Sequence, residues 1–553
     1  MSREPRTSAE FKPYKFNPVS EAYDAIVIGS GIGGLATAAL LSKYGGKKVL
    51  VLERHYTPGG DTHVFHRPGY EWDVGVHYIG DVHRGSMPLA VLDVIGDGGI
   101  EWEDMGEVYD RIVIGGDVYD PPKGRERFRE YMKSRFPGEE SAIDAYLDAL
   151  RQATSALIPF QGAKVLPGPI AAVAGPLLRR KFLGWSDRTT REVLESFTRN
   201  QRLIAVLTGQ FGDYGLPPAQ SSFVIHAMVV KHYLNGGYYP VGGSAVMADS
   251  IAPVIERSGG RVLINAEVAR ILVEGGRAVG VQMAADGATI RAPIVVSDAG
   301  VGNTFGRLLP RELADRHGLL AQLRQVTPSS AHFCLYVGFK ESARALGLPR
   351  HNIWAYPHED HERSIEEGSR DPDAPMPAVF ISFPSAKDPD FENRHPGRAT
   401  VEVIGLAHFE WFERWRDTRW KKRGEEYEAF KERIAQRMLE KLYEQVPQLR
   451  GRVDYYELAT PLTTRHFSNY GQGEIYGIDH TPQRFRQRFL TPATPVRGLF
   501  LTGQDIVTCG VGGALMGGVL TASAILRRNL ITAIRATADA AGTRTDRNPA
   551  GQG

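Results

Sequence analysis

The sequence contains few cysteines and no long apolar run, and both features restrict the class of protein. Cys334 and Cys509 are the only cysteines in 553 residues. They lie far apart, show no metal-ligand spacing and fit a reducing compartment, so no metal site is predicted. No uninterrupted apolar stretch reaches the ~18 residues of a membrane-spanning helix. Residues 1–20 are polar and lack the apolar core of a signal peptide.

The sequence also lacks an excess of charge of either sign. Lys and Arg total 66 and Asp and Glu total 64, which leaves a net charge of +2. A nucleic acid is therefore not expected as a partner. Together with the cysteine content, this composition predicts a cytoplasmic protein.

The stretch that dominates the sequence is YDAIVIGSGIGGLATAALLSKYGGKKVLVLE, residues 23–53. Gly29, Gly31 and Gly34 have G-x-G-x-x-G spacing between an apolar strand and a small-residue helix, and Gly33 lies inside the motif. A second apolar strand ends at Glu53, where a carboxylate can accept hydrogen bonds from a ribose. This is the pattern of a βαβ unit that binds a dinucleotide with its pyrophosphate at the helix N-terminus.

The residues after the second strand indicate which dinucleotide is bound. Arg54 is followed by HYTPGG, which places Gly59 and Gly60 just beyond the strand. This extension resembles the fingerprint of flavoproteins related to amine oxidases and phytoene desaturases, in which the glycine pair passes close to the flavin. The resemblance implies FAD as the cofactor, and it implies that a backbone group of Val268 faces the adenine.

A second glycine-rich segment lies near the C-terminus. An apolar strand ends at Thr502 and is followed by Gly503, Asp505 and the run CGVGGALMGGVL, which includes Gly512 and Gly513. Glycine inside a helix costs up to ~1 kcal/mol relative to alanine, so this density predicts a steric need for close approach. We expect the helix N-terminus to stabilise negative charge on the reduced flavin, and the backbone around Asp505 to contact the ribityl chain or the pyrophosphate.

The elements group into two interleaved domains of an α/β protein. We predict a discontinuous, Rossmann-like FAD-binding domain of the amine oxidase and phytoene desaturase type, and a substrate and membrane-contact domain of mixed sheet and helices. Residues 1–20 and 536–553 are expected to be flexible tails. The FAD-binding domain is assigned residues 21–85, 241–300 and 491–535, and the substrate domain residues 86–240 and 301–490.

Residues 165–185, VLPGPIAAVAGPLLRRKFLGW, combine apolar residues with a basic cluster at 179–181. Three prolines make a spanning helix unfavourable. The composition fits peripheral contact with a membrane, a lid over an apolar tunnel, or a core helix with a solvated basic end. The first of these predicts peripheral membrane association.

Taken together, the motifs GSGIGGL, LERHYTPGG, DVGVHYIG, YYPVGGS and LTGQDIVTCGVGGALMGGVL resemble the phytoene desaturase superfamily, and its retinol saturase and carotenoid isomerase branch most closely. The resemblance implies an FAD-dependent oxidoreductase that acts on carbon–carbon double bonds of a long apolar lipid. His77, Tyr78 and Tyr239 are the candidates for proton transfer or for packing against the substrate. The lipid, the direction of the reaction and the electron partner stay open.

Three alternative functions also fit parts of the sequence. A flavin-dependent cis–trans isomerase of a polyene would use the same motifs. A flavin amine oxidase would usually show a cysteine attached to the flavin, and Cys509 lies in the flavin segment. A lipid-binding protein similar to Rab GDP-dissociation inhibitors would share the architecture without a flavin, but the intact glycine motif with Glu53 argues against it.

Overall fold

The computed structural model describes residues 10–166 and 168–545. The strands are, in chain order, β1 (Lys12–Pro13), β2 (Ala25–Ile28), β3 (Val49–Leu52), β4 (Val64–Arg67), β5 (Tyr70–Asp73), β6 (Trp102–Asp104), β7 (Asp110–Ile114), β8 (Asp117–Tyr119), β9 (Tyr238–Pro240), β10 (Arg261–Ile264), β11 (Val268–Glu274), β12 (Arg277–Met283), β13 (Thr289–Arg291), β14 (Ile294–Ser297), β15 (Ala331–Phe339), β16 (Asn352–Tyr356), β17 (Val379–Ser382), β18 (Ala399–Ala407), β19 (Val453–Ala459) and β20 (Leu499–Leu501).

The α-helices are distributed between these strands. They are α1 (Ile32–Gly45), α2 (Met87–Ile95), α3 (Arg125–Arg135), α4 (Glu140–Ser155), α5 (Leu157–Ala163), α6 (Gly168–Ser186), α7 (Thr190–Leu194), α8 (Gln201–Leu207), α9 (Phe223–Tyr233), α10 (Val246–Glu256), α11 (Val301–Asn303), α12 (Arg311–Arg316), α13 (Leu319–Leu323), α14 (His361–Gly368), α15 (Pro384–Lys387), α16 (Phe391–Arg394), α17 (Glu425–Gln445), α18 (Pro461–Ser468), α19 (Pro482–Arg486), α20 (Gly510–Leu526) and α21 (Leu530–Thr545).

A parallel sheet carries the predicted dinucleotide unit. Its strand order is β1-β10-β3-β2-β14-β20, and every adjacent pair runs parallel. β2 and β3 are apolar and fully buried, as expected for strands with both faces covered. α1 packs against α10 and α20. The sheet therefore combines strands from the beginning, the middle and the end of the chain, and the predicted α/β class is confirmed.

A second, mixed sheet lies in the segments that interrupt the first. Its order is β19-β15-β18-β17-β16-β7-β8. β16 and β7 pair in parallel, and the other neighbours are antiparallel. α17 packs on this sheet through the apolar stripe Tyr427, Phe430, Ile434, Met438 and Leu442. The helices α3 to α9 form a separate apolar cluster beside the edge that contains β7.

The described parts of both terminal regions are more ordered than we expected. β1 pairs in parallel with β10, and the adjacent Tyr14 is buried and donates a hydrogen bond to Asp286. α21 continues through residue 545, and Thr537 contacts Tyr44 through their hydroxyl groups at 2.9 Å. Residues 12–16 and 536–545, which we expected in flexible tails, therefore contain an edge strand and the end of a helix. Residues 1–9 and 546–553 of those tails lie outside the described residues.

The segment with the basic cluster forms α6, which follows α5 at the surface. Ile158 of α5 and Ile170, Val173 and Leu177 of α6 expose between 53% and 84% of their surface. Pro176 lies inside α6. In the described part of the chain, no single helix is long and apolar enough to cross a bilayer. Only α20 with residues 530–540, a pair bent by 114°, meets the length and composition limits together.

Candidate functional site

One large cavity connects the parallel sheet, the mixed sheet and the α3–α9 cluster. Its volume is about 2580 Å³, well above the ~300–1,000 Å³ of an ordinary small-molecule pocket. One end is formed by the glycine motif and the C-terminal ends of β2 and β3. The other end is lined mainly by apolar and aromatic side chains, among them Val76, Ile225, Met228, Trp354, Phe380 and Ile404. The cavity can therefore hold a dinucleotide and a second, apolar molecule.

The glycine motif forms a cradle without side chains at the first end of the cavity. Gly29 has a φ of +96°, and Gly31 is the N-cap of α1. Gly59 pairs with Gly31, and a Cβ on Gly60 would lie only 3.0 Å from the Gly31 Cα. The predicted glycine pair thus packs directly on the predicted phosphate loop. Gly29, Gly31, Gly33, Gly59 and Gly60 all line the cavity.

Two of the predicted glycines do not reach the cavity and have a packing role instead. A Cβ on Gly34 would lie 2.4 Å from the carbonyl oxygen of Gly29, so this glycine permits α1 to approach β2. Gly503 has a φ of +86°, and a Cβ on Gly33 would lie 2.6 Å from its Cα. These two positions shape the cradle without lining it.

Glu53 lies at the cavity wall, where its carboxylate is held by the loop that follows β2. It accepts hydrogen bonds from the Ser30 N–H at 2.9 Å, the Ser30 hydroxyl at 2.7 Å and the His55 N–H at 2.7 Å. Arg54 donates to the carbonyl oxygens of His466 and Phe467 and also lines the cavity, as does Val268. These contacts place all three predicted residues on one side of the glycine cradle.

Asp298 is a cradle residue that the sequence interpretation missed. It follows β14 and is half-buried, and its carboxyl accepts hydrogen bonds from the backbone N–H groups of Gly34 and Gly31. Burial, together with the nearby charges of Glu53 and Asp505, raises its pKa to about 8. A carboxyl therefore occupies the hydrogen-bond donors that a pyrophosphate would use. Its position immediately after a third strand of the parallel sheet is the sequence signal that could have identified it.

The segment before α20 brings the far end of the chain to the same cavity. Asp505 accepts hydrogen bonds from the N–H groups of Val301 at 2.8 Å and Ile478 at 3.2 Å, so its side chain joins three segments. α20 begins at Gly510 with no side-chain cap, and Gly512 and Gly513 line the cavity. A Cβ on Gly513 would lie 2.1 Å from the Thr508 carbonyl oxygen. The uncapped helix N-terminus supplies partial positive charge to the cavity.

The three candidate catalytic residues do not share one location. His77 and Tyr78 line the cavity. His77 Nδ1 lies 2.7 Å from Glu402 Oε2, and the Tyr78 hydroxyl oxygen lies 2.9 Å from a carboxylate oxygen of Asp110 and 2.9 Å from one of Asp213. Tyr239 is 1% exposed, bonds to Asp73 and is absent from the cavity wall. Its assignment as a substrate contact is corrected, because its ring is covered and its hydroxyl has a buried partner.

Behind His77 and Tyr78 lies a buried polar cluster that the sequence interpretation did not assemble. Lys387 donates to the His77 carbonyl oxygen at 2.8 Å, to Ser382 at 2.8 Å and to Asn352 at 2.5 Å, and Asn352 donates to Asp110 at 2.9 Å. Burial lowers the pKa of Lys387 to about 7 and raises that of Asp110 to about 6. Burial of the charged form is costly, so shifted groups beside a cavity indicate a functional site.

Comparison with known proteins agrees with this geometry. The family described as "Flavin containing amine oxidoreductase" matches residues 32–526. An all-trans-retinol 13,14-reductase from Danio rerio is 38% identical over 530 residues, which cover 93% of this chain and 87% of the relative. The chain belongs to the family of flavin-containing amine oxidoreductases.

A more distant relative agrees in sequence, and a solved structure agrees in fold. A chloroplastic prolycopene isomerase from Daucus carota is 28% identical over 464 residues, covering 81% of this chain and 71% of the relative. The solved structure of cyclohexylamine oxidase from Brevibacterium oxydans superposes with a TM-score of 0.57 and 18% identity, covering 94% of this chain and 100% of that chain. The predicted recognition and the amine-oxidase-type fold are confirmed, and the chain is a flavin-dependent oxidoreductase.

The cavity fits the flavin of this family. The cradle at Gly31 and Gly60 leaves no room for side chains, and its N–H groups already bind a carboxyl of Asp298. These are the contacts that a phosphate group needs. The cradle would hold the phosphates, and the start of α20 would face the end of the cofactor that carries the ring.

The cradle predicts that a side chain at Gly31 prevents flavin binding. In Gly31→Val the added atoms would occupy the site of the Asp298 carboxyl, since even a Cβ would lie 2.5 Å from its Oδ2. We expect purified Gly31→Val to lose its visible flavin absorbance while its far-UV circular dichroism is unchanged. Gly302→Val is the control, because a Cβ at exposed Gly302 meets nothing within 4 Å. Stoichiometric flavin in Gly31→Val would contradict the location of the phosphates.

Proposed function

We propose that this chain is an FAD-dependent reductase of a carbon–carbon double bond in a retinoid or a similar conjugated lipid. The observation that carries the proposal is the single cavity that joins a phosphate cradle to an apolar chamber, in a chain 38% identical to a retinol 13,14-reductase across 93% of its length. When bound, the flavin would supply hydride chemistry at the junction of the two parts.

FAD is the flavin that the cradle supports best. The G-x-G-x-x-G loop at the N-terminus of α1 suits a pyrophosphate, which riboflavin 5′-phosphate lacks. Beyond the cradle, Glu53, Arg54 and Val268 continue the cavity wall where an adenosine would lie. These residues would hold the AMP half, and Asp505 and the start of α20 would hold the flavin half.

The second part of the cavity supports an apolar, elongated substrate. Its walls include Tyr78, Tyr233 and Phe380, of which Tyr78 and Tyr233 stack with ring centroids 4.2 Å apart. The cavity also reaches Leu157, Ile158, Val165 and Leu166 at the exposed α5–α6 surface. Flat aromatic walls and an apolar opening fit a polyene that enters from a lipid phase.

The experiment described below also distinguishes two other activities. The similarity to prolycopene isomerase supports cis–trans isomerisation as the second candidate. An amine oxidase with a flavin attached to cysteine is less well supported. The Cys509 thiol donates to the Asp213 carbonyl oxygen at 3.4 Å, and burial raises its pKa to about 12, so it is protonated.

The proposed reaction predicts the addition of two hydrogen atoms to the substrate. Enzyme reduced artificially and mixed without oxygen with all-trans-retinol should yield a heavier product by mass spectrometry and regain flavin absorbance between ~350 and 500 nm. Gly31→Val is the control without cofactor. A retinol isomer of unchanged mass would favour the isomerase, and bleaching of the oxidised enzyme by a primary amine would favour the amine oxidase.

The position of Asp298 predicts that FAD binding weakens at alkaline pH. Because its pKa is raised to about 8, the carboxyl is neutral below that pH and ionised above it, where it repels the pyrophosphate and binds the cradle N–H groups more strongly. The dissociation constant of FAD, measured by fluorescence quenching, should rise above pH 8 in the wild type and stay flat in Asp298→Asn. Asp479→Asn removes a half-buried carboxyl outside the cavity wall and should behave as the wild type. If the dissociation constant of FAD rose equally with pH in Asp298→Asn and in the wild type, ionisation of Asp298 would not be the cause.

We also propose peripheral attachment to the cytoplasmic face of an anionic membrane through α5 and α6. Ile170, Val173 and Leu177 are exposed on α6, and Arg180 and Lys181 follow them at the surface. Arg179 is not counted among the membrane-facing residues, because it donates hydrogen bonds within the protein to the carbonyl oxygens of Phe485 and Arg486. Two free, buried cysteines support a reducing compartment.

The membrane proposal predicts a charge-reversal effect at two residues. Each basic residue near an anionic surface contributes ~1 kcal/mol, so loss of Arg180 and Lys181 should weaken binding by about 30-fold. Arg180→Glu with Lys181→Glu should abolish co-sedimentation with phosphatidylserine vesicles. The control is Arg433→Glu with Lys441→Glu on α17, which makes the same charge change elsewhere. Unchanged co-sedimentation of the α6 variant would identify α6 as a lid or a core helix.

A further inference from the structure

Glu402 is an acid in the middle of an otherwise apolar strand. It lies on β18, where Val401 and Val403 flank it, and its side chain is 0% exposed. Tyr336 of β15 and Ser382 of β17 lie opposite in the sheet. An ionised carboxylate in such a place would cost several kcal/mol unless it is fully paired. Glu402 therefore needs a specific reason to be there.

The contacts of Glu402 are directed towards the cavity. Its Oε2 lies 2.7 Å from His77 Nδ1, while Oε1 is buried without a hydrogen-bond partner among the described residues. His77 lines the cavity, and its ring meets the edge of Phe380 at 5.3 Å between centroids. Since Nδ1 is used by Glu402, Nε2 is the nitrogen left for a substrate in the apolar chamber.

The charges around the pair favour a proton on Glu402 and an uncharged His77. Burial raises the pKa of Glu402 to about 8 and lowers that of His77 to about 3. The titratable groups that face the pair are Asp73 from β5, Tyr239 from β9, Lys387 from α15, and His332, Cys334 and Tyr336 from β15. The Lys387 ammonium opposes both Glu402 protonation and His77 protonation, and burial outweighs the first effect.

We propose that Glu402 is the positioning residue that supplies the substrate proton through His77. As His77 Nε2–H transfers its proton to one carbon of the double bond, Nδ1 takes the proton of the Glu402 carboxyl. When bound, the reduced flavin would supply a hydride for the other carbon, so that the two carbons together would gain one proton and one hydride. After the product leaves, a water molecule that enters the cavity relays a proton from the solvent to Nε2, and Nδ1 returns its proton to Glu402. The imidazole stays neutral throughout, which suits its buried, apolar setting.

This inference rests on the proposed reduction, and a conservative variant tests it. Glu402→Gln keeps the volume and can hydrogen bond to Nδ1, but it cannot release a proton. We expect kcat for retinol reduction to fall by about 100-fold or more with a nearly unchanged KM, as for loss of a general acid. The fall in wild-type kcat with rising pH should disappear. The double variant Glu402→Gln, His77→Gln should be no slower than His77→Gln, because the two act in series.

The controls separate proton supply from structural support. Glu71→Gln removes another buried carboxylate, one paired with Arg394 and outside the cavity wall. It should lower thermal stability and leave the pH profile unchanged. The infrared difference spectrum in heavy water between the wild type and Glu402→Gln should show a carboxylic-acid band that decreases with rising pH. Taking the difference removes the bands of Asp73, Asp110 and Asp298, which both proteins share. This signal does not require turnover. If Glu402→Gln does not fold, Glu402→Asp, which retains the acid, is measured in its place.

Each result decides a different question. A wild-type enzyme that adds no hydrogen to any conjugated lipid overturns the proposed function and, with it, the role of Glu402. An active wild type combined with a Glu402→Gln variant of equal kcat and equal pH profile overturns the Glu402 inference alone. Absence of the acid band from the difference spectrum also overturns it. The inference is supported if Glu402→Gln is slow, if its kcat no longer falls with rising pH, and if the infrared acid band is lost with the glutamate.

Discussion

Direct backbone contact between three glycine-bearing segments determines the geometry of the cofactor half of this molecule. A Cβ on Gly33 would collide with Gly503, one on Gly517 would lie 2.5 Å from the Gly503 carbonyl oxygen, and one on Gly518 would lie 2.9 Å from that of Gly33. Close approach of α1 and α20 without intervening side chains fixes the phosphate cradle relative to the start of α20. The glycine density of α20 thus serves helix packing at residues 517 and 518 as well as the cavity at 512 and 513.

The substrate side depends on a different constraint, which is the pairing of buried charges. The cluster of Glu402, Asp73, Asp110 and Lys387 combines three acids with one base behind the apolar chamber. Removing ions from water costs several kcal/mol each, and a single ammonium cannot offset three carboxylates. Some of the acids must therefore be protonated at neutral pH, which agrees with the raised pKa values of Glu402, Asp73 and Asp110. Burial of these acids by the fold therefore keeps protonated carboxyl groups close to the chamber.

The cofactor site could be predicted from the sequence because its residues lie in local motifs. Residues that meet only through long-range strand pairing could not be predicted in this way. The glycine loop, Glu53 and the glycine pair are contiguous, and their spacing alone brings them together. Asp298 reaches the glycine cradle, and Glu402 reaches the apolar chamber, only through strand pairing across hundreds of residues. A signal for Glu402 existed, because a lone acid inside the apolar strand ATVEVIGLA is unusual. Tyr239 was assigned to the substrate from its place beside the motif that includes YYPVGGS, but the fold buries its side chain away from the cavity wall.

The supply of protons also bears on why one fold supports both reduction and isomerisation of polyenes. Isomerisation returns every hydrogen to the substrate, so it needs transient charge stabilisation but no net proton. Reduction consumes one proton per turnover, and an apolar chamber holds little water to provide it. A protonated acid beside a cavity-lining imidazole removes that limitation without exposing the chamber to solvent. The His77–Glu402 pair is therefore a feature that net hydrogen transfer requires and that isomerisation alone does not explain.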